Sequence, residues 1–300
     1  MYSDLQYLER HQIDTIQWDR CIAGATNGLI YGYSWYLDHM AHNWDALVWN
    51  NYQAVMPLPF KKKWGIRYVT TPPFVQRLAV FGNEVPAQVI QAFYQEAGRR
   101  FSYIDLMTAE AMDEKNWQST VRQNLVIDLS PGYEAISAGY TDECKSNIRK
   151  SVQRGCRFTT SIDIEQVIRL YRDMYGQYYS GDAYQRLSQL AQAALLKKCL
   201  IIAGVAGQTG KIIQGALLFN IDQRIYYMLA APTADGRKAR ATYYFIDQVI
   251  RRYAGQPLLF DFEGSDIPDV AAFYNRFGPA RELYYHHICN QLPWPLRWLK

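Results

Sequence analysis

Residues 200–231 read LIIAGVAGQTGKIIQGALLFNIDQRIYYMLAA, and the fold turns on how they are read. Leu200 to Val205 is a short β-branched apolar run, and Gly207-Gln208-Thr209-Gly210 supplies a turn. Lys211 to Ile221 is a second run, Asp222-Gln223 turns again, and Ile225 to Ala231 is a third. Two apolar runs joined by a glycine-bounded turn predict a hairpin, and the third run extends it to an antiparallel meander.

Further along, the period changes from strand-like to helical. Phe245, Ile246, Val249, Ile250 and Tyr253 fall on one helical face, which Gly255-Gln256-Pro257 ends. Leu258 to Glu263 (LLFDFE) reads as a strand, Asp266 and Pro268 open a helix that stops at Gly278, and Glu282 to Cys289 reads as a last strand. Ile164 to Lys198 is a helical stretch ahead of the hairpin.

The first half repeats part of this order. Asn27 to Met40 reads as a helix, and Asp45 to Trp49 with Gln53 to Phe60 as a hairpin across Asn50-Asn51. Pro57 and Pro59 place that second strand at an edge or make it irregular. Ile66 to Val69 is a third strand. Val89, Ile90, Phe93, Tyr94 and Ala97 share a helical face, with Asn83 as cap and Pro86 in the first turn. Ser102 to Met107 is the next strand, and Leu125 to Leu129 closes the half. The expectation is an α/β (α+β) fold of two tandem mixed-sheet domains flanked by helices, 1–130 and 131–300, joined at Ser130-Pro131-Gly132. A basic helix follows the join, from Thr141 to Gly155. Its Lys145, Arg149, Lys150 and Arg154 suit a solvated linker helix and an anion-facing one equally.

Composition bounds the class. The 300 residues are 49 % hydrophobic and 20 % charged, with net charge +4, which is globular and only mildly basic. Five scattered cysteines without a CxxC pair point to a reducing compartment, a charged first stretch to the cytoplasm, and the lack of a long apolar window to no membrane span. His286-His287 are adjacent, not spaced as metal ligands, so no metal is expected.

Three stretches carry a resemblance. Ala271-Ala272-Phe273-Tyr274-Asn275-Arg276-Phe277-Gly278 is similar to the A-x-x-F-Y-x-x-x-G-F segment near the end of GNAT acyltransferases, with Pro279 where an aromatic is usual. The second stretch is Phe260-Asp261-Phe262-Glu263-Gly264-Ser265 with Pro268. The third is Tyr31-Gly32-Tyr33-Ser34-Trp35-Tyr36-Leu37, together with Met56-Pro57-Leu58-Pro59 and Pro72-Pro73-Phe74-Val75-Gln76. In this order, over roughly residues 28–292, the chain resembles the FemAB-like tandem-GNAT proteins, which include aminoacyl transferases of peptidoglycan bridges.

The resemblance implies acyl transfer to an amine, in a gap where the strand before the last helix splays from its neighbour. Such transfer needs a polarised carbonyl, a base and an acid. Asp261 and Glu263 alternate with Phe260 and Phe262, so both carboxylates are expected on one face, where they bind or deprotonate an amine or simply serve a polar sheet face. Tyr274 matches the tyrosine that protonates the departing thiolate in GNAT enzymes. The donor loop departs from the family's Q/R-x-x-G-x-G/A: Gly236 is present, but Thr233 and Lys238 stand at other motif positions. Arg237, Lys238 and Arg240 still put three cations beside a helix start, suited to a phosphate-bearing donor. That donor is acyl-CoA or, given the degenerate loop, an aminoacyl-tRNA used on a cell-wall precursor. A binding module that has lost its chemistry is the third reading. The first half has no tyrosine helix, so Tyr33, Trp35, Tyr36, Phe74 and Gln76 are expected to wall the acceptor's side or to pack as core. The aromatic, basic tail 292–300 is expected to dock on the body of the protein.

Overall fold

Apolar alternation and turn chemistry produce mixed β-sheet with helices packed on it. The computed structural model describes residues 4–112, 116–176, 178–264, 266–294 and 297. Ser265 of the second resembling stretch and much of the 292–300 tail lie outside the described residues. In chain order the elements are β1 (Leu5–Leu8), α1 (Thr15–Gly24), α2 (Ser34–Met40), β2 (Asn43–Trp49), β3 (Ala54–Lys63), β4 (Ile66–Thr70), β5 (Phe81–Gly82), α3 (Ala87–Arg100), β6 (Tyr103–Thr108) and β7 (Trp117–Asp128). There follow α4 (Tyr133–Ala138), α5 (Asp142–Gln153), β8 (Arg157–Thr159), α6 (Ile164–Tyr175), α7 (Gly181–Leu196), β9 (Leu200–Ala206), β10 (Ile212–Ile221), β11 (Arg224–Pro232), α8 (Ala234–Ala239), α9 (Ala241–Tyr253), β12 (Leu259–Asp261), α10 (Pro268–Asn275) and β13 (Ala280–Asn290).

The chain divides into two compact units: Met1–Arg122 with Leu283–Lys300, and Gln123–Glu282. This differs from a single cut near residue 130. β13, expected to close the second half, pairs antiparallel with β6 of the first unit, from Tyr285↔Thr108 to Asn290↔Tyr103. The end of β7, expected to close the first half, pairs with β12 of the second, from Leu259↔Asp128 to Asp261↔Val126. Backbone N–H and C=O groups on a half-built sheet need a partner strand, and the chain supplies it from a distant segment.

In the first unit, β2, β3 and β4 form an antiparallel meander, and β4 then pairs with β6 in parallel. Asn50, Asn51 and Tyr52 make the β2–β3 turn, all at positive φ. Pro57 and Pro59 sit inside β3, not on a sheet edge. They oppose Ala46 and Trp44 of β2 on one side. On the other side β5 pairs only Ala54 and Val55, and β4 only Phe60 to Lys63, so the prolines fall where no ladder donor is required among the described residues. The expected 27–40 helix is only α2, after a short 3-10 turn at Ile30–Gly32. Pro86, not Asn83, begins α3; Asn83 instead donates to the Gly24 carbonyl.

The second unit repeats the scheme: β9, β10 and β11 are antiparallel, and β11 pairs with β12 in parallel. Its core gathers Phe245, Ile246, Val249 and Ile250 of α9 against Leu218, Ile225 and Phe260 of the sheet and Phe277 beyond α10, all buried. Thr141 caps α5, as its side chain accepts from the Cys144 N–H at 3.2 Å.

Candidate functional site

The parallel pairing of β11 with β12 runs over only three residue pairs, ending at Tyr226↔Asp261. β11 continues to Pro232, past the end of that pairing, with α6 packed against it. Opposite Leu218 of β10, two residues of β11, Tyr227 and Met228, fit between the pairs Leu217↔Leu229 and Phe219↔Tyr226. That bulge re-aims the Tyr227 side chain. A cleft of about 350 Å³ opens here, lined by Tyr227, Ala230 and Pro232 from β11, Gly236 and Arg237 from α8, Arg240, Thr242 and Tyr243 at the start of α9, and Asp269, Val270, Phe273, Tyr274 and Arg276 on or next to α10. Met174 and Tyr175 of α6 complete it, and these two, with Pro232 and Arg237, also border a second cleft of about 560 Å³.

The Tyr274 ring lies tilted against Phe262, centroids 4.5 Å apart, and edge-on to Tyr227 at 6.5 Å. Burial raises its hydroxyl well above the ordinary tyrosine value, and the neighbouring Tyr175 and Glu263 add to this. Tyr274 therefore stays protonated through the neutral range. Tyr227 is pushed the same way by burial. A polar chain reaches it: Thr242 Oγ1 donates to Gln214 Oε1 at 2.9 Å, and Gln214 Nε2 donates to the Tyr227 hydroxyl at 3.4 Å.

The two carboxylates do not share a face. Asp261 is buried and ion-paired to Arg224 at 2.7 Å, and Arg224 also forks onto Glu282. The strand ends at Asp261, and Glu263 takes the left-handed conformation with φ 65°. That turn breaks the alternation assumed from the sequence. The other Asp261 oxygen accepts the Glu263 N–H at 2.7 Å and so fixes the turn. Asp261 thus holds structure, while Glu263, half-buried, is the carboxylate whose charge reaches Tyr274.

Gly236 has a packing reason. A Cβ there would lie 2.1 Å from the Ile213 carbonyl oxygen of β10. Thr233 caps α8, its hydroxyl accepting the Gly236 N–H at 3.1 Å. Arg240, at φ 62°, separates α8 from α9, and its carbonyl accepts from Ser151 Oγ of α5 at 2.8 Å. Arg237 and Arg240 line the cleft; Lys238 is exposed outside it, and its carbonyl accepts from Arg154. The first turn of α9 carries no acid, so its dipole adds positive potential beside both arginines. Arg276, not anticipated from sequence, donates to the Tyr243 hydroxyl at 2.5 Å and pairs with Glu143 at 3.1 Å. Gln214 had a visible signal, an amide within an apolar strand run; Arg276 had none beyond its helical offset from Tyr274.

The first-unit residues divide. Tyr36 is fully buried with its hydroxyl donated to the Phe74 carbonyl, and Tyr33 is buried beside Trp35, ring centroids 6.2 Å apart. Trp35, Phe74 (φ 56°) and Gln76, which accepts from Arg77, are half-exposed. This unit also holds a buried polar cluster. Glu110 accepts from the Tyr94 hydroxyl at 2.7 Å and the Val80 N–H at 3.0 Å, and burial pushes its carboxyl up to about 7. His287, fully buried, lies 2.8 Å from both Ser119 Oγ and the Glu110 carbonyl. Among the described residues, no group of three His, Cys, Asp or Glu is placed to hold a metal ion, and no helix is long and apolar enough to cross a membrane.

No protein-family model matches the chain, and no curated protein matches it by sequence. Solved structures do match. FemX superposes with a TM-score of 0.66 at 11 % identity, covering 98 % of this chain and 99 % of FemX. A conserved protein of unknown function from Bacteroides thetaiotaomicron gives 0.62 at 11 % identity, over 93 % and 98 % of the two chains. The C-terminal domain of a protein named for lysylphosphatidylglycerol synthesis in Agrobacterium fabrum gives 0.54 at 11 % identity, over 85 % and 86 %. At such identities the likeness establishes a shared mixed α/β fold.

Proposed function

We propose, on the premise of a FemX-like fold with GNAT-like motifs, that the protein transfers an acyl or aminoacyl group from a phosphate-bearing carrier to an amine. The observation that carries this reading is the convergence of Tyr274, Arg237 and Arg240 on one cleft where β11 leaves β12. Arg237, Arg240 and the α9 N-terminus bind the donor's phosphate. The acyl group lies in the cleft beside β11 beyond its pairing with β12. The acceptor amine gives its extra proton to Glu263 and its nitrogen attacks the carbonyl carbon. As the bond to the carrier's sulfur or oxygen breaks, the leaving atom takes the electron pair and Tyr274 supplies its proton. Asp261 acts through the backbone by holding Glu263.

The test pairs binding with turnover. Calorimetry against acetyl-CoA, longer acyl-CoAs and charged tRNA identifies the donor, and Arg237→Ala with Arg240→Ala weakens it. With a turnover assay in hand, Tyr274→Phe lowers kcat by roughly 10²–10⁴ with KM little changed. An unchanged kcat removes Tyr274 from the reaction, and failure of every donor to bind favours a non-catalytic binding module.

An aminoacyl-tRNA donor is the second reading, favoured by one contact. Arg154, just past the end of α5, donates to the Lys238 carbonyl, and α5 carries the further exposed cations Arg149 and Lys150. A tRNA donor predicts binding that falls steeply with salt, flattened by Arg149→Ala/Lys150→Ala; acyl-CoA binding would be unaffected by that pair. Under this reading the acceptor is a cell-wall precursor.

A further inference from the structure

The β3–β4 hairpin carries Lys61-Lys62-Lys63-Trp64-Gly65-Ile66-Arg67, a segment with no part in the acyl-transfer reading. Lys63 pairs with Ile66, so Trp64 and Gly65 alone form the loop, both at positive φ (50° and 80°). A two-residue loop with two positive φ values is a tight hairpin turn that ordinarily takes Asn-Gly. Here a bulky indole occupies the first position, and it is 71 % exposed. Nothing in the core of the unit accounts for a tryptophan held outward at a turn tip.

Its surroundings are cationic. Lys62 and Lys63 are exposed, and Lys63 Nζ lies 4.6 Å from the indole centroid. Residues 61–70 contain no acid. Arg67 alone is neutralised locally, by Asp45 of β2, and it directly faces Lys62 across the ladder. Asp45 engages Arg67, and Lys62 and Lys63 are left exposed next to the turn. We propose that this hairpin tip docks on an anionic phospholipid surface, with Trp64 at the headgroup boundary and Lys62 and Lys63 on the phosphates. An amphipathic ring flanked by snorkelling lysines suits that boundary. A nucleic-acid reading fits less well: single strands are held by successive stacking rings along a groove, and this hairpin exposes one ring at a protruding tip.

Flotation of the full chain with phosphatidylcholine vesicles, with and without phosphatidylglycerol, tests the proposal. The expected result is binding that requires phosphatidylglycerol and weakens at high salt. Lys62→Ala/Lys63→Ala lowers the partition coefficient roughly thirty-fold, and Trp64→Ser roughly tenfold. Thermal melts matching the parent show that these exposed-site variants fold. The proposal is overturned if the parent does not float, if the variants float equally well, or if pure phosphatidylcholine binds as strongly. It is likewise overturned if the variants lose affinity for a single-stranded RNA while vesicle binding persists.

Discussion

Asp261→Asn separates two roles for the buried carboxylate. As a catalytic base its loss would lower kcat by about 10²–10⁴. The structure argues for a different cost. The amide oxygen of an asparagine can still accept the Glu263 N–H, now 2.7 Å from Asp261 Oδ1, so the turn survives. What is lost is the charge opposite Arg224, whose side chain is only 10 % exposed and keeps Glu282 as its remaining anion. A hydrogen bond to a charged group contributes about 1.5–3 kcal/mol, and the partial compensation by Glu282 keeps the loss within that range. At about 2–4 °C per kcal/mol, the melting temperature should fall by roughly 3–12 °C. Differential scanning calorimetry beside a steady-state assay reads both quantities. The expected outcome is a clear drop in melting temperature with kcat within about tenfold of the parent. A thousandfold loss of kcat at an unchanged melting temperature would refute the positioning role and return Asp261 to the chemistry.

Gly236→Ala should destabilise the protein by about 1–3 kcal/mol, read by urea unfolding, because its Cβ would stand 2.1 Å from the Ile213 carbonyl; a neutral effect would mean that α8 moves freely. Glu110 predicts a pH dependence. Its carboxyl holds a proton up to about 7 in the folded chain against an ordinary 4.5, so the folded state binds more protons in that interval. Its favourable contribution is therefore complete below pH 4.5 and is lost as pH rises through 7, by up to about 3 kcal/mol. Glu110→Gln should flatten chemical-denaturation stability between pH 5 and 7.5, and an undiminished slope would assign it to other groups. His287, lowered by burial, works oppositely: its contribution is present above its ordinary 6.5 and is lost below it; His287→Gln should reduce the fall in stability on the acid side.

Local patterns were legible wherever one rule governed them. The 200–231 meander and the α9 face each rest on periodicity or a turn preference within a few residues. Pro57 and Pro59 signalled an edge or an irregular strand, and they lie in the gap between β4 and β5, which strands elsewhere in the chain make. Asp261 and Glu263 misled because period-two alternation holds only while the strand continues, and β12 stops at Asp261. Arg276 and Tyr227 were invisible as site residues because a bulge and a helix end, not a motif, turn them toward the cleft.

By itself the sequence determined the 200–231 meander, the apolar faces of α3 and α9, and where glycine and asparagine turn the chain. Only the tertiary structure decided that the distant β13 pairs with β6 and that β7 pairs with β12. It also decided that Arg224 claims Asp261, leaving Glu263 beside Tyr274. The physical reason is range. Propensity, capping and amphipathic period act over a few residues, whereas strand partnership, charge pairing and cleft shape are set by whatever the folded chain brings within a few ångströms.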